Sequence, residues 1–320
     1  MLTAPINLVG SGLPTRVFRV GESTIAPDYT GTMVDRLYRV KRTLAEMLQT
    51  RGYAIDPDEE SLFRDLQTDG DLDRNATDQY RLLLKRFAEH YAARATKLGV
   101  SFHQALNKRY TETKDSVRYL NAIDEAEALQ EEHLANPSPV NTSELATPDS
   151  TNLLELKVYF VEPVYEGGKF KDGSKGNADI IYADMDDLDL THGIAVAVKK
   201  FNHSVYKAEA FHPTMKLEKF DYDELNKNVV QHFLQPGFDH LTNRERNQEI
   251  RDHGIQMTQM PRMSHVDPVA RFYGARVGDV FRIRRQTRVG LQISFRAVMP
   301  TPLSVDAGNV KDVDQIYNPQ

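Results

Sequence analysis

Hydrophobic positions recur at helical spacing from residue 34. In "MVDRLYRVKRTLAEMLQTRGY" the apolar residues Val34, Leu37, Tyr38, Leu44, Met47 and Leu48 fall on one face, and Gly52 stands where a left-handed C-terminal cap belongs. Asp56 and Pro57 mark a second helix start. After the polar break "TDGDLDRNATD", Tyr80, Leu83, Leu84, Phe87 and Tyr91 form another stripe, and Val117, Leu120, Ile123 and Leu129 predict a later helix. The composition of "NPSPVNTSELATPDST" (136–151) is that of a linker. Beyond it the period shortens: "LLELKVYF", "ADIIYADM" and "GIAVAVKK" read as strands separated by turn residues. "HPTMKLEKFDYDELNKNVVQHFLQP" mixes both signals and leads into a C-terminal module.

In "HVDPVARFYGARVGDVFRIRR" several signals coincide. Asp267 can accept hydrogen bonds from free backbone donors, Pro268 pre-sets the first helical residue, and Gly274 ends a helix of one or two turns. Gly278 and Asp279 then turn the chain into an alternating strand, "VFRIRR", beside which "LQISFRAV" can return. The expected module is a small sheet with one capped helix.

The length of 320 residues suits two modest domains, and the net charge of -6 shows no global basic excess, so any basic surface is local. The absence of cysteine excludes disulfides, thiol catalysis and cysteine-ligated zinc. Together with the lack of any membrane-length apolar run, it leads us to expect an intracellular, soluble chain with no membrane partner.

The apparent motifs fail on spacing. "GGKFKDGSKG" places Ser174 before Lys175, reversing the order a phosphate loop needs, and reads as a hairpin loop. "DMDDLDLTHGI" puts Leu188 or His192 where a calcium loop requires a ligand or glycine, and reads as an acidic turn. "VGSGLP" lacks the third glycine of a dinucleotide loop. The histidines show no zinc spacing, so His232 and His240 are expected as hydrogen-bonded surface or core groups, and no serine sits on a nucleophile elbow. No catalytic residue, metal site or cofactor is expected.

One feature survives: from Arg271 to Val298 there are seven arginines, no lysine and Asp279 as the one acid. Arginine favours planar, multidentate contacts with carboxylates, phosphates or carbonyls. Residue chemistry leaves open a protein-docking surface, nucleic-acid contact and a plain solvated face.

"QMTQMPRMSHVDPVARFYGARVGDVFRIRR" followed by "ISFRAV" resembles the C-terminal module of one family of DNA-directed RNA polymerase subunits. That family comprises a small archaeal form, which has this module alone, and the larger eukaryotic fifth subunit shared by polymerases I, II and III. The likeness begins near residue 227, through "HFLQPGFDHLTNRE". "RLYRVKRTLAEMLQTRGYAIDPDE" is similar to the first helix of the eukaryotic subunit's N-terminal jaw, and "GIAVAVKKFNHSVYKAEAF" to its later part. Residues 71–151 have no counterpart, as in an embellished version from a large DNA virus or a divergent eukaryote.

The resemblance implies an α+β chain. Its parts are a tail (1–30), an α/β jaw domain (31–226) with a helical insertion at about 71–151, a small assembly domain of mixed sheet and helices (227–299), and a tail (300–320). It implies a non-catalytic polymerase subunit that docks on the largest subunit, among other polymerase subunits, with nucleotidyl transfer performed elsewhere in the complex. Pro261, Arg262, Asp267, Pro268, Val269, Ala270, Arg271, Tyr273, Gly274, Arg282 and Arg296 are expected in or under the docking surface. Arg39, Lys41, Arg42 and Arg51 are expected near downstream DNA, touching it without sequence preference. Localisation would be nuclear in a cell, or a cytoplasmic viral factory or virion for a virus. The rival reading is a free-standing DNA-binding transcription regulator that lays an arginine-rich β-ribbon in a groove.

Overall fold

The computed structural model describes residues 32–64, 74–135, 153–162, 165–166, 169–170, 175–202, 205–206 and 209–300. The expected tails, the 136–151 linker and "VGSGLP" fall outside these residues, apart from Pro300. The chain divides into two units, each combining helices and strands as an α+β chain should.

The N-terminal unit is built on the sheet β1-β2-β5-β6, from β1 (Lys108–Thr111), β2 (Glu155–Phe160), β5 (His192–Ala197) and β6 (Lys216–Asp221). β2, β5 and β6 run parallel, and β1 joins β2 antiparallel at the edge. Two short strands, β3 (Tyr165–Glu166) and β4 (Lys169–Phe170), pair antiparallel at the start of the glycine-rich stretch; residues 171–174, with Ser174 of the failed phosphate loop, lie outside the described residues. β5 is buried along nearly its whole length, as a central parallel strand covered on both faces must be.

One face of this sheet is covered by a helix where a strand was expected. "ADIIYADM" lies in α6 (Lys175–Asp187), whose residues Ala178, Ile181, Tyr182 and Met185, spaced by three and four, are buried with Ala195, Ala197 and Leu217 of the sheet. Ile180 points to solvent, as a helical period demands and an alternating one would not explain.

α1 (Met33–Thr50), α2 (Pro57–Arg64) and α3 (Arg74–Leu98) complete the unit with the four-residue α4 (Phe102–Ala105). Every apolar position expected on the α1 stripe is buried, and Tyr38 meets Phe87 of α3 edge to face with ring centroids 5.4 Å apart. The stretch expected as a helical insertion is therefore not one body. Its α3, α4 and β1 belong to the N-terminal unit, whereas α5 (Val117–Ala135) belongs with the C-terminal residues. Among the described side chains of α5, Tyr119 and Ala126 are buried, Val117 and Ile123 are half-buried and Leu120 is exposed; Leu129 of the expected stripe lies outside them.

Lys41 corrects the sequence reading outright. It is fully buried, so it cannot face DNA, and its ammonium lies 2.9 Å from Glu59 and 2.8 Å from the Tyr110 hydroxyl. Tyr110 donates to the Glu59 carboxylate at 2.9 Å, and Lys108 approaches the same carboxylate at 3.1 Å. Burial alone would raise the Glu59 pKa, but the Lys41 and Lys108 charges with these hydrogen bonds bring it down to about 2. Burial also pulls Lys41 below its ordinary value, against the opposing charge of Glu59. We take the pair as ionised at neutral pH because two cations and a hydroxyl converge on the one carboxylate.

The C-terminal unit carries the sheet β7-β9-β10-β8, from β7 (Gly237–His240), β8 (Arg262–Ser264), β9 (Val280–Thr287) and β10 (Gly290–Met299). β10 pairs antiparallel with β9 and parallel with β8, making the mixed sheet expected. A short α7 (Tyr222–Leu225) follows β6 within the N-terminal unit; in the C-terminal unit α8 (Asn243–His253) packs Ile250 near Val280, Ala297 and Met299 on one sheet face. α9 (Pro268–Tyr273) packs Val269 and Ala270 against Phe281, Ile283 and Val298 on the other. α5 is tied to α8 through Asn121, whose side-chain oxygen accepts the Asn243 N–H at 2.7 Å.

No helix among the described residues is long and apolar enough to cross a membrane.

Candidate functional site

The capped helix forms as the sequence dictates. The Asp267 carboxylate accepts the Val269 N–H at 2.9 Å, Pro268 begins the helix, and Gly274 ends it with φ of 66°. Arg51 fastens the other end by donating to the Phe272 carbonyl at 3.0 Å and the Arg271 carbonyl at 2.6 Å, where a guanidinium also complements the helix's negative end. These bonds give Arg51, expected near DNA, a structural task in this unit. The Tyr273 hydroxyl donates to the Phe238 carbonyl at 3.0 Å, pinning the helix over β7. The Asp267→Ala variant should lose about 1 kcal/mol of stability, read as a lower urea midpoint of the C-terminal unit, because one cap is removed.

The pleat sorts the arginines onto two faces. Arg282 and Arg284 share the face covered by α8, and both are met by acids from elsewhere in the chain. Arg282 lies 3.1 Å from Asp239 and 3.3 Å from Glu249, and Arg284 lies 2.6 Å from Asp239. These contacts raise the Arg282 pKa further, the hydrogen bond to Asp239 being the main cause. Arg282 is thus separated from most of the expected docking set.

On the opposite face a groove of about 360 Å³ runs beside α9. Phe238, Met263, Val269 and Ile283 supply apolar lining; Asp267, Pro268, Arg285, Gln292, Ser294 and Arg296 supply most of the rest. Arg285 and Arg296 are exposed and make no ion pair among the described residues, so the groove presents two unneutralised guanidinium groups above an apolar floor. Of the expected residues, Asp267, Pro268, Val269 and Arg296 meet at this groove. Ala270 is buried beneath the helix, Gly274 is its cap, and Pro261 and Arg262 are exposed at the start of β8. Arg285 was missed, although its parity with Phe281 and Ile283 along β9 placed it on this face.

In the N-terminal unit, Arg39 pairs with Asp35 one turn away, and Arg42 with Glu46 at 3.0 Å. His240 stacks on Phe281 and bonds Asp279 at 2.9 Å, and the His232 ring accepts the Leu234 N–H at 3.3 Å, both as expected. No cluster of three or more metal-ligating side chains occurs among the described residues.

Comparison with known proteins bears out the family resemblance over this same segment. Residues 227–298 match the model of RNA polymerase Rpb5, C-terminal domain. The chain is 28% identical over 122 residues to the DNA-directed RNA polymerases IV and V subunit 5B of Arabidopsis thaliana, covering 37% of this chain and 55% of that one. It is 34% identical over 88 residues to the DNA-directed RNA polymerases I, II, and III subunit RPABC1 of Caenorhabditis briggsae, covering 27% and 42%. The corresponding subunit of Dictyostelium discoideum is 36% identical over 81 residues, covering 25% and 41%. The chain spans about half the length of the relatives it matches.

Proposed function

We propose that this chain, which carries an Rpb5 C-terminal domain, is a non-catalytic structural subunit of a multisubunit DNA-dependent RNA polymerase. In this reading it docks on the largest subunit through the groove face of its C-terminal unit, beside other polymerase subunits. The observation that carries the proposal is that the segment matching the family is the one that builds the capped helix and the groove.

The groove's chemistry suits a protein partner. An apolar floor excludes water, and arginines with no internal carboxylate can make bidentate pairs with acids brought by the partner. Val269, Ala270 and Gly274 act from underneath by fixing α9, and Arg282 fixes α8 on the far side. Because Arg282 and Arg284 already face Asp239 and Glu249, a β-ribbon regulator would have to break those pairs to bind phosphates. The N-terminal unit would form the jaw. Its DNA contact would rest on Arg39 and Arg42, each with a carboxylate neighbour, so we expect that contact to be weak. In a cell the assembly would be nuclear.

The test is recovery of partners by the tagged full-length chain from its source. Arg285→Glu with Arg296→Glu should lower recovery of the largest polymerase polypeptide by about tenfold or more, since each reversal turns an attractive pair repulsive. Equal recovery by a folded double variant would place the docking surface elsewhere.

A further inference from the structure

Among the described residues, the C-terminal sheet has one long open edge. β9 accompanies β10 from Gly290 to Ala297, but β8 accompanies it only from Ala297 to Met299. β8 cannot be extended backwards along β10 as a full ladder, because Pro261 stands immediately before it and has no N–H to donate.

The backbone direction along this edge follows from hydrogen bonds at its closed end. The Val298 N–H donates to Asp279 at 2.8 Å and its carbonyl accepts from Gly278 at 3.0 Å, so both groups point to the β9 side. The Ala297 N–H donates to Pro261 at 3.0 Å and the Met299 carbonyl accepts from His265 at 2.9 Å, both on the β8 side. By the two-residue period of a strand, Leu291, Ile293 and Phe295 direct their N–H and C=O groups out of the sheet, where β8 has ended.

The side chains beside this edge are sorted as well. Leu291 and Ile293, 60% and 51% exposed, lie on one face, while Gln292, Ser294 and Arg296 line the groove on the other. An exposed apolar edge strand is a liability in a free protein and a template for pairing with another chain.

We infer that the open edge of β10 receives an extended strand of a partner protein, continuing the line of β8, with apolar side chains toward Leu291 and Ile293 and acidic ones toward Arg285 and Arg296. This β-strand addition rests on the docking function proposed above and specifies its mode. Charge selects this occupant over a second copy of the chain. A second β10 would bring Gln292, Ser294 and Arg296 to the groove face and no acid, leaving the arginines unneutralised.

The test uses the full-length chain in its native assembly. Ile293→Pro deletes an outward amide without deleting a bond to β9, and Ile293→Val preserves that amide and an apolar side chain. With both variants shown to be folded by their melting temperatures, Ile293→Pro should recover the largest polymerase polypeptide at least tenfold less well than wild type, and Ile293→Val equally well. Independently, amide hydrogen exchange in residues 290–296 should slow at least tenfold in the assembly relative to the free chain. Undiminished recovery by a folded Ile293→Pro variant, or equal exchange in both states, overturns strand addition while leaving the polymerase reading intact. Slow exchange in the free chain together with a dimeric mass assigns the edge to a second copy and also overturns it. If the wild-type chain recovers no large polypeptide, the polymerase reading fails and strand addition falls with it.

Discussion

Replacing Lys41 with methionine is expected to destabilise the N-terminal unit by about 3–5 kcal/mol, because it leaves the nearly buried Glu59 carboxylate without its closest cation. Methionine keeps the unbranched stem in place, so most of the loss is electrostatic. Urea unfolding of the Lys41→Met variant, compared with Lys41→Met combined with Glu59→Leu, separates the causes. The double variant should regain a substantial part of the lost stability, since it no longer buries an uncompensated charge. A single variant as stable as wild type would mean that Lys108 alone, 3.1 Å away, satisfies Glu59.

Acid is expected to have a comparable effect, through two groups whose pKa values are lowered by folding. His103 is buried, its Nε2 has no hydrogen-bond partner among the described residues, and desolvation lowers its pKa from 6.5 to about 4. Between those values the unfolded chain binds a proton that the folded chain refuses. Stability is therefore complete above about pH 6.5 and falls by about 3 kcal/mol as the pH drops to 4. Glu59, lowered from 4.5 to about 2, adds a loss of similar order between those values. Urea midpoints measured from pH 7 to pH 3 should decline in this way, and His103→Phe should flatten the upper part of the decline. A flat wild-type profile from pH 7 to 4 would contradict the buried neutral histidine.

How much could be read from the sequence depended on how local the cause was. α9 was legible to the residue, because Asp267, Pro268 and Gly274 act within a few positions of one another. α6 was misread because in a parallel sheet the flanking strands lose their alternation, so a short apolar run such as "ADIIYADM" fits either period until its length is known. The four residues of β1 carry no usable pattern, and without β1 the stretch around α3 looked like an insertion instead of part of the sheet-bearing unit.

Charged residues followed the same rule. Lys41 lies four residues after Leu37 and three before Leu44, on the apolar face of α1, and that placement was the signal that it would be buried. Counting basic residues along the helix missed it. The neutralisation of Arg282 and Arg284 was not legible at all, since Asp239 and Glu249 come from other elements and reach them only through the fold. The parity of β9, by contrast, already separated Arg285 from those two. Likeness to polymerase subunits therefore pointed to the segment that the family model matches, and strand alternation to its two faces, but only the packed sheet showed which arginines have no ion pair among the described residues.

In the function proposed above, the C-terminal unit is held by a much larger neighbour. The most direct measurement is the native mass of the complex formed by the tagged full-length chain in its source, with its constituents identified. One copy of the chain with very large polymerase polypeptides in equal amount is expected; recovery solely as a free single chain, with the groove open to water, would rule the polymerase role out.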